Sequence, residues 1–202
     1  MPKKTNLVAP NASISRSQRE IRNGHRGIAI LLTGLPAAGK STLAQALQVE
    51  LFNLGLQSIV LDGDALRCGV NSDLGFIEHD RQENIRRASE LAALLVENGQ
   101  IVILAMITPL AAQRELFARR LADDYLEVWC NAALQVCEQR DPKGHYARAQ
   151  QGELLHFTGV SAPYEPPQSS ALVLETGALP VHACVNQLLD WLAHHVKFDD
   201  QP

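Results

Sequence analysis

Aromatic residues make up only 5% of this 202-residue chain, with two tryptophans and two methionines. The interior must therefore be filled by Leu, Ile, Val and Ala. An excess of positive charge is missing too: 18 Lys and Arg against 22 Asp and Glu leave a net charge of −4. That excludes a basic field for nucleic acid and a polybasic membrane patch. No apolar run is long enough to span a bilayer. Lys3 and Lys4 are followed by no apolar stretch, which argues against a secretory signal. The four cysteines, Cys68, Cys130, Cys137 and Cys184, form no C-x-x-C pair, so neither a zinc site nor a redox motif is expected. They read as reduced, mostly buried thiols of a cytoplasmic protein. Internal repeats and low-complexity tracts are absent.

Against these absences stands Gly34-Leu35-Pro36-Ala37-Ala38-Gly39-Lys40-Ser41-Thr42, which fits the phosphate-binding P-loop pattern G-x-x-x-x-G-K-[ST]. An apolar run, Ile28 to Thr33, precedes it as a strand, and a helix over Lys40 to about Asn53 follows. The glycines let backbone N–H groups wrap a polyphosphate, and the helix start turns partial positive charge toward it. In this pattern Lys40 reaches the outer phosphates and the Ser41 hydroxyl ligates Mg²⁺, so a nucleoside triphosphate is expected, and ATP if the chain is a small-molecule kinase. The guanine-reading string Asn-Lys-x-Asp does not occur. The chain is also short for a motor or transporter ATPase. A small-molecule kinase fits best.

Residues 1 to 25 read as a polar arm, with one short helix over Ser15 to Arg22. Residues 26 to 197 read as one kinase domain. Further strands are expected at Ser58–Leu61, Ile101–Ile107, Tyr125–Trp129 and Leu172–Leu174. Between them fall a loop-rich stretch over 65–80 and helices over Arg81–Asn98, Ala111–Leu121, Ala133–Arg140 and Val181–Val196. Five strands alternating with helices predict an α/β fold with a doubly wound parallel five-stranded sheet, a nucleotide-kinase-like P-loop domain. Four prolines and three glycines between 141 and 169 predict a long mobile lid.

The second strand delivers Asp62-Gly63-Asp64 at its C-terminal end, where open parallel sheets bind ligands. One carboxylate suits the magnesium shell; the other suits the acceptor hydroxyl and its proton. Arg67 and Arg81 flank a loop that also holds Phe76. Two cations and an aromatic ring suit an anionic, planar acceptor such as a nucleotide.

These strings carry a more specific likeness. Leu61-Asp62-Gly63-Asp64, Arg67 and the run Gly69 to Phe76 resemble the adenylyl-sulfate kinase (APS kinase) family. So do Asp80 to Arg87, Asp141-Pro142-Lys143-Gly144, Gly152-Glu153, Phe157-Thr158-Gly159 and Pro163-Tyr164-Glu165, in the family's order. The resemblance runs from Arg19-Glu20 to about Glu175. It implies transfer of the ATP γ-phosphoryl to the ribose 3′-hydroxyl of adenosine 5′-phosphosulfate. It implies Asp64 near that hydroxyl, Asp62 near Mg²⁺, and Arg67, Arg81 and Asn84 on the phosphosulfate and ribose. Phe76 and Phe157 would sandwich the acceptor adenine, with Ile107 and Lys143 completing the pocket and Arg140 at the ATP base. Thr108 stands where the family's serine is often described as a phosphorylated intermediate, and a homodimer is implied. The chain departs from the family at Ala65 (usually Asn), Cys68 (usually His), Met106, Thr108, Leu110 and Ser161. Those departures keep open a related kinase for another small anionic acceptor. A nucleotide-binding regulator without turnover is opposed by the retained charged set.

Overall fold

A computed structural model describes residues 13–196. Residues 1–12 of the expected arm, and the expected domain end at 197, lie outside them. The arm's helix, α1 (Arg16–Asn23), starts at a Ser15 cap whose hydroxyl accepts from the Gln18 backbone, while the Gln18 side chain accepts from the Ser15 N–H. Arg16 then clasps this helix to the base of the domain. It donates to Asp124 Oδ1 at 2.8 Å and to the Gly27 carbonyl at 3.0 Å, just before the first strand.

Five parallel strands follow: β1 (Ile28–Thr33), β2 (Ser58–Asp62), β3 (Ile101–Ala105), β4 (Tyr125–Cys130) and β5 (Leu172–Leu174), in the order β2-β3-β1-β4-β5. The helices between them are α2 (Lys40–Asn53), α3 (Gly63–Cys68), α4 (Glu78–Glu97), α5 (Ala111–Leu121), α6 (Leu134–Arg140) and α7 (His145–Gln150), and α8 (Val181–His195) follows β5. β1 is central, with β3 and β4 on either side. Its six residues are all buried because helices cover both faces. Ile28, Ile30 and Leu32 pack toward α2 and α8, with Leu43, Leu47 and Leu188; Ala29 and Leu31 pack toward α4 and α5, with Ile85, Ala92 and Phe117. The doubly wound parallel sheet expected from the pattern is the one observed.

Three expected boundaries are corrected. The stretch read as loop over 65–80 contains α3, because Asp62 caps a helix by accepting from the Asp64 N–H at 2.9 Å. α4 begins at Glu78, ahead of the expected Arg81; Glu78 and Asp80 place negative charge at its N-terminal turn. β3 stops at Ala105, short of Ile107, because Thr108 has a left-handed backbone (φ 40°) that a strand cannot contain. Within the expected lid, residues 145–150 form α7, and Thr158 bridges Ala162.

Candidate active site

The C-terminal ends of β1, β3 and β2 lie side by side along one edge of the sheet. Gly34, at φ 154°, follows β1 so closely that a Cβ there would meet the Cys130 carbonyl oxygen at 2.6 Å. Gly39, at φ 95°, caps α2. Between them Ala37 takes φ 60°, a left-handed turn held by a residue with a side chain. Lys40 is buried, and its ammonium donates to the carbonyls of Gly34 at 2.9 Å and Leu35 at 2.7 Å. Desolvation pushes its pKa down to about 8. Arg140, at the end of α6, donates to the Thr176 carbonyl at 2.7 Å and reaches the Ala37 carbonyl at 3.5 Å, so it lies beside the P-loop.

The Ser41 hydroxyl donates to Asp62 Oδ2 at 2.6 Å, joining the start of α2 to the end of β2. Two residues on, Asp64 is exposed and pairs with Lys143, which comes from the turn before α7. That pair raises the Lys143 pKa. Thus Ser41, Asp62, Asp64 and Lys143, scattered over a hundred positions, form one hydrogen-bonded set.

The neighbouring wall comes from α3, the following loop and α4. Arg67 donates to the Gly75 carbonyl at 2.6 Å, and its guanidinium lies 4.6 Å from the centre of the Phe76 ring. Arg81 donates to the Phe76 carbonyl at 2.7 Å. Burial, and then the like charge of Arg81, pull the Arg67 pKa below its ordinary value; burial lowers that of Arg81. Two part-buried cations facing one loop repel each other, so an anion between them would be stabilised. Phe76 is 67% exposed, with Arg67 against its ring. Asn84 is buried, and its side-chain oxygen accepts from Asn71, so it fastens the loop to α4.

Phe157 is placed differently from the expected face of a sandwich. Its ring packs edge-on against Tyr146, with centroids 5.1 Å apart, and against His145 at 6.1 Å. Tyr146 in turn donates to the Pro36 carbonyl at 3.0 Å, tying α7 to the P-loop. Ile107 is half-buried beside Thr108, whose hydroxyl donates inward to Thr33 at 2.9 Å. Sequence reasoning gave no role to Thr33, Arg114, Tyr146 or Tyr164. Only Tyr164 carried a signal, as part of the Pro163-Tyr164-Glu165 string.

With this geometry in place, comparison with known proteins is decisive. The family model described as adenylylsulphate kinase matches residues 26–175. The chain belongs to that family. It is 46% identical over 190 residues to the adenylyl-sulfate kinase of Prochlorococcus marinus, covering 93% of this chain and 94% of that one. It is 51% identical over 164 residues to the Paraburkholderia xenovorans enzyme, covering 81% and 92%. Among solved structures it superimposes on the Mycobacterium tuberculosis APS kinase CysC in complex with AMPPNP and APS, with a TM-score of 0.80 and 43% identity over 83% of this chain and 98% of that one. A hexameric APS kinase from Thiobacillus denitrificans gives a TM-score of 0.64 at 27% identity, covering 88% of this chain and 31% of that longer one. Among the described residues no helix is long and apolar enough to cross a membrane.

Proposed function

We propose that this family member transfers the γ-phosphoryl group of ATP to the ribose 3′-hydroxyl of adenosine 5′-phosphosulfate, giving 3′-phosphoadenosine 5′-phosphosulfate. The observation that carries the reading is the convergence of two sites. The P-loop amine Lys40 and the Ser41–Asp62 pair lie beside Asp64 and the Arg67–Phe76–Arg81 wall.

In this reading the P-loop amides and Arg140 hold ATP, and Lys40 stabilises charge on the transferring phosphoryl group. Asp64 orients the 3′-hydroxyl and accepts its proton; Lys143 leaves Asp64 for an anionic oxygen of the substrates as the lid closes. Arg67 and Arg81 neutralise the phosphosulfate, and Asn84 and Ile107 line the ribose side. Phe76 stacks on the adenine once Arg67 turns from its ring to the anion, and Phe157 reaches the other face by rotating away from Tyr146. Ser41 and Asp62 would hold Mg²⁺, for they present only hard oxygen donors, held 2.6 Å apart. An ion held there would supply charge neutralisation to the polyphosphate. Three buried free cysteines fit a reducing, cytoplasmic setting, and family resemblance favours a homodimer.

The test is a purified-protein assay with ATP, Mg²⁺ and a panel of adenylates. Phosphorylation of adenosine 5′-phosphosulfate in strong preference to 5′-AMP supports the reading. No transfer, or better turnover of another acceptor, refutes it. Lys40→Ala should lower the rate by about 10²–10³ with the fold intact.

A further inference from the structure

One buried hydroxyl joins three parts of the chain. Thr33, the last residue of β1, donates its single proton to the Ile107 carbonyl at 2.8 Å. Its two lone pairs then face the Thr108 hydroxyl at 2.9 Å and the Tyr164 hydroxyl at 3.2 Å. The proton count closes only when both neighbours donate to Thr33.

This cluster holds a turn that would not hold itself. Thr108 is β-branched, buried and left-handed at φ 40°. Its carbonyl accepts from Arg114 at 3.0 Å, and Arg114 lies 3.5 Å from Glu127. One residue beyond Tyr164, the Glu165 N–H donates to the Pro109 carbonyl at 2.8 Å, and its carboxylate accepts from the Ala111 N–H, the first of α5, at 2.6 Å. The Pro163-Tyr164-Glu165 end of the lid is thus fastened to the turn over residues 107–109, and that turn to the residue immediately before the P-loop.

We propose that Tyr164 is a positioning residue for the acceptor. Through Thr33 and Thr108 its hydroxyl keeps the turn that presents Ile107 in register with the root of the P-loop. The inference rests on the acceptor role of Ile107 given above. Tyr164 acts through the two threonines and takes no part in the transfer itself.

The experiment uses the full chain and steady-state kinetics with ATP and adenosine 5′-phosphosulfate for Tyr164→Phe, Thr108→Val and the double variant, with thermal melting to confirm folding. Tyr164→Phe should raise the acceptor KM about fivefold, the factor carried by one neutral hydrogen bond, and leave the ATP KM within about twofold. Thr108→Val should act in the same direction, and Thr108→Ser, which keeps the hydroxyl, should restore the acceptor KM. Because both hydroxyls work through Thr33, the double variant should be no worse than about the poorer single variant. Multiplying effects, an equal rise in both KM values, a fall in kcat alone or no change would each overturn the proposal. If the wild-type chain does not phosphorylate this acceptor at all, the functional reading fails first, and that result is distinct from any pattern among the variants.

Discussion

Lys40 should take up a proton when ATP binds. Its ammonium is buried against two carbonyl oxygens, and desolvation brings its pKa from 10.5 to about 8. At pH 8.5 such a group is charged only about a quarter of the time. Polyphosphate oxygens favour the charged form and return the pKa toward its ordinary value, so binding should absorb about three quarters of a proton at pH 8.5 and about a tenth at pH 7. Isothermal titration with a non-hydrolysable ATP analogue, in two buffers of different ionisation enthalpy, reads this number from the difference in heats. Lys40→Met should abolish the uptake. Heats independent of buffer at pH 8.5, or an unchanged uptake in Lys40→Met, would refute the reasoning. The same shift carries a sign for stability without nucleotide. A lysine whose folded pKa is depressed binds fewer protons folded than unfolded between about pH 8 and 10.5. Its contribution to stability therefore rises with pH across that window.

Other substitutions probe other parts. Asp64→Asn keeps the shape but cannot accept a proton, so single-turnover rates should fall on the order of 10²-fold or more while ATP affinity changes little; an unchanged rate would make Asp64 a turn residue. Phe76→Ala should weaken acceptor binding by about tenfold to a hundredfold in calorimetry and leave ATP binding alone. Phe157→Ala should weaken the acceptor similarly and also lower the melting temperature, since its ring packs on Tyr146; a change in melting alone would confine it to packing. Ala122 is exposed at φ 49° and ψ −118°, so Ala122→Gly should raise stability by roughly 0.5–1 kcal/mol in denaturant unfolding; destabilisation would show that the strain is absent.

The β1–P-loop–α2 unit was legible because the motif demands a strand before it and a helix after it, and α2 runs over the expected Lys40–Asn53. The position of Asp62 and Asp64 at a strand end was legible for the same reason. What hid α3 was the double meaning of Asp-Gly-Asp: the residues that favour a turn also cap a helix. The start of α4 was hidden by Ile77, a cap position with no side-chain hydrogen bond. The Thr33–Thr108–Tyr164 cluster leaves no periodic trace, since its members meet only through the order of the strands; Thr33 and Tyr164 are 131 positions apart. Likewise, the resting positions of Arg67 over Phe76 and of Phe157 against Tyr146 are tertiary outcomes that no local pattern encodes.

The strand order also divides labour by chain segment. Asp62, Asp64, Arg67, Phe76, Arg81, Asn84 and Ile107 all lie between the end of β2 and the turn after β3, on one side of the central strand. The P-loop leaves β1, and Arg140 and Thr176 stand on the other side, with β4 and β5. On the proposed roles, most of what would bind the acceptor is thus one contiguous stretch of the polypeptide, from Arg67 to Ile107, and the P-loop that would hold ATP lies outside it. Acceptor choice would then be open to change over evolutionary time, or to re-engineering, through residues 67–107, with the P-loop and the Ser41–Asp62 pair left as they are.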